Sequence, residues 1–320
     1  IKEFLPATLA ARTDSGEVAP RLPRFEAAFA KGLESFINEA RLLGSLDHPA
    51  LVKVYRFWQA NGTAYMVMPY YEGTTLKKWL ADLGAPPSER WLRQLATPLI
   101  DALQELHDHA IVHRDVAPDN IVLLVDRGAP NYLEQAPRPV LLDFGAARRV
   151  AAEATQQLTA ILKSGYSPVE QYDQGLALKP GPWSDIYSLA AMLYAAAMGR
   201  PPGPSIARLV RDELVPASVA ARGRYGEAFL AAVDAGLAVR PEQRPQSLAE
   251  FRAWLERPDG AEADISLPVG DAPAAAVDLA LEPPSAGPSS APGPGLKPWA
   301  WAVASALALA ALAWVLLGRG

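Results

Sequence analysis

The residues best placed to do chemistry fall in one string, His113-Arg114-Asp115-Val116-Ala117-Pro118-Asp119-Asn120. An aspartate and an asparagine five apart, on a loop between short strands, can face a single site. The carboxylate can accept a hydroxyl proton while the amide oxygen ligates a metal ion. A second acidic ligand follows at Asp143-Phe144-Gly145, directly after the apolar run Val140-Leu141-Leu142. The chain has no cysteine, which excludes disulfides, thiolate metal sites and a cysteine nucleophile. Its formal net charge of -5 offers no basic footprint for nucleic acid.

The elements that must hold these residues can be read from periodicity. Phe25, Ala28, Phe29, Leu33, Phe36, Ile37, Ala40 and Leu43 recur at helical spacing, with Gly44 as a stop. Leu51–Phe57 and Ala64–Met68 are strand-like and meet across Asn61-Gly62, a hairpin signal. Leu76 to Leu106 reads as helix, broken at Gly84-Ala-Pro-Pro87 and restarted at an N-cap, Ser88. Short strands are expected at Ile111-Val112, Ile121 to Val125 and Val140 to Leu142. Helices return from Asp185 to Ala197 and again before residue 257. The order implies an α+β fold, a small lobe of strands plus one helix followed by a larger, mainly helical lobe.

Residues 257–297 are Pro, Ala, Gly and Ser with scattered acids, and such a composition cannot offset its chain entropy by burial. They are expected to form a disordered linker. Residues 298–317 contain Trp299 to Leu317, which carry no charge and no Gly or Pro. That is about 19 residues, close to what a bilayer core requires. Trp299, Trp301 and Trp314 stand near its ends as interfacial anchors would. A single transmembrane helix is expected, and Ala300, Ala304 and Ala308 form a small-residue face through which two copies could dimerise.

The ordered set of motifs resembles the bacterial eukaryotic-type Ser/Thr protein kinases from Ile1 to about Leu255. The resemblance implies a two-lobed kinase fold, with residues 1–69 as a partial N-lobe and 70–256 as the C-lobe. It also implies ATP with Mg2+ or Mn2+ as cofactors, and protein Ser/Thr hydroxyls as acceptors. By that resemblance Asp115 is the catalytic base, and Asn120 and Asp143 hold the metal. Lys2 fixes the α- and β-phosphates and pairs with Glu39. Met68 is the gatekeeper, and the carbonyl of Pro69 and amide of Tyr71 meet the adenine edge. Glu170 is expected to pair with Arg244 as a buried structural bridge, and Asp185 to hold the catalytic-loop backbone. Thr155, Thr159 and Ser164 are candidate phosphate acceptors facing Arg114. His107, His109 and His113 with Asp108 could suggest a metal site, but they match the ordinary approach to the catalytic loop.

Three departures qualify the resemblance. No Gly-rich phosphate loop is present, and Ile1-Lys2 resembles the end of the third strand, so the chain is expected to be truncated there. Ala117 stands where such kinases carry a lysine that touches the γ-phosphate. Lys163 stands where they carry a threonine. In the family fold those two positions face each other, so Lys163 is expected to supply the charge missing at Ala117. The stretch from Lys2 to Glu39 is long and implies an extra turn or helix before the main one. The function expected is a protein Ser/Thr kinase, single-pass in the inner membrane with its kinase domain cytoplasmic. The present chain could itself be inactive for want of the phosphate loop. The alternative is a pseudokinase acting as a binding scaffold, for which Ala117 is the main argument.

Overall fold

Lys2–Glu3 (β1) leads into an insertion that the periodicity did not announce. Ala10–Arg12 (β2) pairs antiparallel with Val18–Pro20 (β3), and a single 3-10 turn, Pro23–Phe25, precedes the long helix Glu26–Ser45 (α1). The computed structural model describes residues 1–126, 128–129, 131–143, 162–172 and 178–258, all within the unit Ile1–Leu267. The expected extra turn is the 3-10 turn, but most of the added length is the hairpin. Strands of three residues are too short to show alternation, and this pair is held by docking. Leu9, Ala10 and Val18 are buried, and Val18 N donates to Asn61 O at 2.8 Å. Phe4 sits against Phe29 and Phe36 of α1, at ring-centroid distances of 5.3 and 5.7 Å.

Arg56–Ala60 (β4) and Thr63–Val67 (β5) complete an antiparallel sheet ordered β1-β5-β4, with Lys2 opposite Met66. The Asn61-Gly62 turn is present: φ is 53° at Asn61 and 68° at Gly62, as a tight hairpin requires. A Cβ on Gly62 would stand 2.4 Å from the Val18 carbonyl oxygen. The strand starts at Arg56 rather than Leu51. Tyr55 N still bonds to Val67 O of β5 at 2.8 Å, but Val52 N bonds to Leu141 O at 3.0 Å and Ala50 O accepts from Leu141 N at 2.8 Å, in the other lobe. Helix α1 likewise runs through Gly44 to Ser45.

In the large lobe Thr74–Thr75 (β6) feeds the helix Leu76–Leu83 (α2), and Glu89–Asp108 (α3) follows the expected break. Ser88 caps α3, its Oγ accepting from Trp91 N at 3.3 Å. Trp79 and Trp91 stack across the two helices with centroids 4.0 Å apart. Ile121–Leu123 (β7) and Pro139–Leu141 (β8) form a second sheet ordered β6-β7-β8. Ile111-Val112 is not a strand. Ile111 N is spent on Leu106 O at 3.0 Å, closing the end of α3.

Among the described residues the remaining α-helices are Pro182–Met198 (α4), Ser205–Val210 (α5), Ala217–Ala220 (α6), Glu227–Gly236 (α7) and Leu248–Leu255 (α8). Every residue of α4 from Ser184 to Ala197 is buried. A helix apolar on all sides belongs inside a large domain, and α3, α7 and α8 pack around this one. It is the pillar from which the site is hung. Among the described residues no helix is long and apolar enough to cross a membrane. The apolar run at 298–317 and most of the 257–297 linker lie outside the described residues.

Candidate active site

The string from His113 to Asn120 is fixed from beneath by the first turn of α4. The buried carboxylate of Asp185 accepts from His113 N and Arg114 N, each at 2.8 Å, and from His107 Nε2 at 2.8 Å. These bonds hold Arg114 at φ 64°, a left-handed conformation that a non-glycine residue adopts only under constraint. His113 Nε2–H donates to Leu142 O at 3.0 Å, and its Nδ1 accepts from Asp115 N at 3.2 Å. Both His107 and His113 are therefore engaged in holding backbone and loop. Among the described residues no His, Cys, Asp and Glu cluster suits a metal ion.

Sheet register brings the two expected metal ligands together. Ile121 faces Leu141 across β7 and β8, so Asn120 and Asp143 lie at the same end. Leu142 N donates to Asn120 O at 2.8 Å, and Asn120 Nδ2 donates to Asp115 O at 2.9 Å. The amide is thereby oriented with its nitrogen engaged, leaving its oxygen as the end that can take a ligand. Asp143, like Arg114, is a non-glycine residue at positive φ, here 27°. An amide oxygen and a carboxylate are hard donors that suit a magnesium ion completed by phosphates and water.

Lys2 joins this end of the sheet to α1. Its Nζ lies 2.5 Å from Asp143 Oδ1 and 3.5 Å from Glu39 Oε1, and Glu39 is buried. Residues 2, 39 and 143, on a strand, a helix and a loop, thus converge on one ammonium. Met68, Pro69 and Tyr71 follow β5 directly as the connection between the lobes, with Met68 packed against the core. Tyr71 OH accepts from Lys53 N at 3.1 Å, bracing that connection. A cavity of about 600 Å³ opens beside Tyr70, Glu72 and Asp126, but none of the sequence-predicted site residues lines it.

Lys163 is brought to the same loop. Its Nζ stands 3.0 Å from Asp115 Oδ1 and 3.0 Å from Asp119 Oδ1. The ammonium is buried, yet neither contact has hydrogen-bond angles. Its backbone is pinned in a turn: Tyr166 N and Ser167 N both donate to Lys163 O at 2.9 Å, and Lys163 N donates to Ser167 Oγ at 3.1 Å. Gly165 makes that turn possible, with φ 84° and the Pro202 carbonyl oxygen 2.5 Å from where a Cβ would be. Burial pushes the Tyr166 phenol up to about 12, the charge of Asp119 adding to the effect, so it stays protonated at ordinary pH. Asp119 was not singled out from the sequence. An acidic residue beside Asn120 was visible there, but its partner lies 44 residues away. Phe144, Gly145, Thr155 and Thr159 lie outside the described residues, while Ser164 lies in the Lys163 turn.

Glu170 and Arg244 pair as expected, at 2.7 and 3.2 Å with both side chains fully buried. Ser184 of α4 donates to Glu170 Oε1 at 2.7 Å.

Comparison with known proteins places this geometry. The protein kinase domain family matches residues 10–245. Serine/threonine-protein kinase PknB of Mycobacterium tuberculosis is 32% identical over 235 residues, covering 69% of this chain and 35% of PknB. Serine/threonine-protein kinase PrkC of Bacillus subtilis is 31% identical over 188 residues, covering 58% of this chain and 27% of PrkC. The chain thus spans about a third of the length of these curated relatives. Among solved structures, the apo form of PpkA-294 superposes with a TM-score of 0.68 at 40% identity, covering 79% of this chain and 85% of that one. The kinase domain of M. tuberculosis PknI, at 24% identity and a TM-score of 0.51, shares the fold.

Proposed function

We propose that this chain, which belongs to the protein kinase domain family, is the catalytic part of an ATP-dependent protein serine/threonine kinase. The observation that carries the reading is the convergence of Lys2, Glu39 and Asp143 on one ion-pair network, beside a loop that presents Asp115 and Asn120. Phosphoryl transfer needs positioning and charge neutralisation rather than covalent chemistry, and these groups are of the right kind.

In this reading Asp115 orients a Ser or Thr hydroxyl and takes its proton as the oxygen bonds to the γ-phosphorus and the bond to ADP breaks. Lys2, held straight by Glu39, binds the α- and β-phosphates. The Pro69 carbonyl and Tyr71 amide meet adenine beneath Met68. Asn120 and Asp143 would hold Mg2+ or Mn2+, which when bound neutralises charge on the phosphates. Lys163 supplies a cation where Ala117 has none. Ala117 is fully buried, so the charge must come from another element.

The apolar run at 298–317 and the 257–297 linker support a membrane tether, with the kinase domain on the cytoplasmic side where ATP is found. Full-length protein should sediment with membranes and resist salt extraction. Recovery in the supernatant would remove the tether.

The central test is transfer of labelled phosphate from Mg-ATP to a generic Ser/Thr acceptor by the full-length protein. Label should appear on Ser or Thr, and Asp115→Asn should lower the rate about a thousandfold. If the wild type binds ATP but transfers nothing, the protein is a binding scaffold and the kinase reading fails.

A further inference from the structure

The contact between Lys163 and Asp119 has no part in the reading above. Lys163 Nζ is 3.0 Å from Asp119 Oδ1 and the same distance, 3.0 Å, from Asp115 Oδ1, and it hydrogen-bonds to neither. We infer that Asp119 is a positioning residue, which balances the pull of Asp115 on the Lys163 ammonium and keeps its N–H donors available for the transferring phosphoryl group. This inference rests on the kinase reading above.

The physical case begins with what Lys163 would do without Asp119. An ammonium beside a single carboxylate in a partly buried site settles into a direct hydrogen bond, because charge attraction there is stronger than in water. Settled on Asp115, it would occupy the oxygen that must receive the substrate proton. A second carboxylate at equal distance opposes that movement. The ammonium then stays between the two, held by charge, without settling into an aligned hydrogen bond with either. A buried ammonium lacking hydrogen bonds is costly unless a ligand completes it. A phosphoryl oxygen, rich in acceptor capacity, is the group that fits.

The separation is set by the fold and not by flexible side chains alone. Asp119 precedes Asn120, whose backbone N donates to Ala117 O at 2.9 Å and whose side chain donates to Asp115 O at 2.9 Å. Lys163 is anchored at its backbone by the Tyr166 and Ser167 amides. The Lys163 and Asp115 side chains are only 14% and 15% exposed, while Asp119 is 49% exposed at the outer side of the cluster. The exposed carboxylate can therefore act as the counterweight without closing the site. During transfer the hydroxyl proton passes to Asp115, the new P–O bond forms and the bond to ADP breaks. Lys163 keeps its protons throughout and only exchanges hydrogen-bond partners.

Steady-state kinetics on the full-length protein with Mg-ATP and a Ser/Thr acceptor test this directly. Asp119→Asn should lower kcat about tenfold with the KM for ATP within about twofold, because the displaced ammonium is missed by the phosphoryl group as it transfers and not by the bound nucleotide. Asp119→Glu should recover most of the loss. Lys163→Met should cost about a hundredfold, and adding Asp119→Asn to it should cost nothing more, since Asp119 acts only through Lys163. A merely structural Asp119 would instead give losses that multiply and a lower Tm in both backgrounds. Multiplying losses, or a silent Asp119→Asn beside a costly Lys163→Met, overturn this inference and leave the kinase reading intact. A wild type that transfers no phosphate overturns both.

Discussion

Two charged constellations, one around Arg244 and one around Lys2 and Lys163, are built on opposite terms. Around Arg244 everything is complete. Nε donates to Ala238 O, Nη1 to Glu170 and Trp183 O, and Nη2 to Glu170 and Val239 O, so all five donors of a guanidinium are used. The Tyr187 ring lies 4.7 Å from its centre. Around Lys2 and Lys163 the ammonium groups are held at ion-pair distance by carboxylates from separate segments. The Lys163 nitrogen forms no hydrogen bond among the described residues. A charge that serves only the fold ends with its bonding capacity spent. In the proposed kinase site part of that capacity is kept open for a ligand, and the positive φ of Arg114 and Asp143 falls on that side of the division.

The comparison breaks most easily at Glu170. Glu170→Ala leaves Arg244 charged and buried with no carboxylate, and should lower unfolding free energy by roughly 3–5 kcal/mol. Glu170→Gln, which keeps hydrogen bonds to Arg244 and Ser184, should lose less. Chemical denaturation of the three proteins measures this, and equal stability of all three would show that the bridge does not hold the lobe. Lys2→Met should do the reverse. Transfer should fall by about a hundredfold, on the order of 3 kcal/mol of barrier, with a Tm within about 2 °C of wild type. A fall in Tm with normal transfer would move Lys2 to the structural side. Ser184→Ala removes one hydrogen bond to a charged, buried partner and should cost about 2 kcal/mol of stability. Its kcat should be unchanged under conditions where the protein stays folded. A drop in kcat there would mean that the buried bridge reaches into the chemistry, and the division between the two constellations would be lost.

Much of this arrangement was legible before any coordinates. The order Lys2, Glu39, Asp115, Asn120, Asp143, Glu170, Arg244 points to the protein kinase domain family, to which the chain belongs, because each motif has a characteristic neighbourhood in the chain. The Asn61-Gly62 turn and the Ser88 cap rest on the conformational preference of one or two residues, and such preferences survive folding. The strand predicted from Leu51 was less secure. Leu51, Val52 and Val54 are buried, but the backbone at Ala50 and Val52 bonds to Leu141 in the other lobe. Burial and strand pairing leave the same trace in a sequence, and only the partner separates them. Ile111-Val112 fails for the same reason, its backbone being claimed by the end of α3.

What the sequence determined alone is the set of groups that can do chemistry and the local turns that begin and end elements, since both depend on neighbours within a few residues. The docked hairpin of Ala10–Arg12 and Val18–Pro20 was a tertiary decision, because strands that short take their stability from what they pack against. So was the place of Lys163. Nothing in the spacing of residues 115, 119 and 163 states that one ammonium will stand at equal distance from two carboxylates. That follows from Asp185 holding one loop to α4 and Gly165 letting another turn against Pro202. Charges act through space at a few ångströms, and the chain must first be folded before those distances exist.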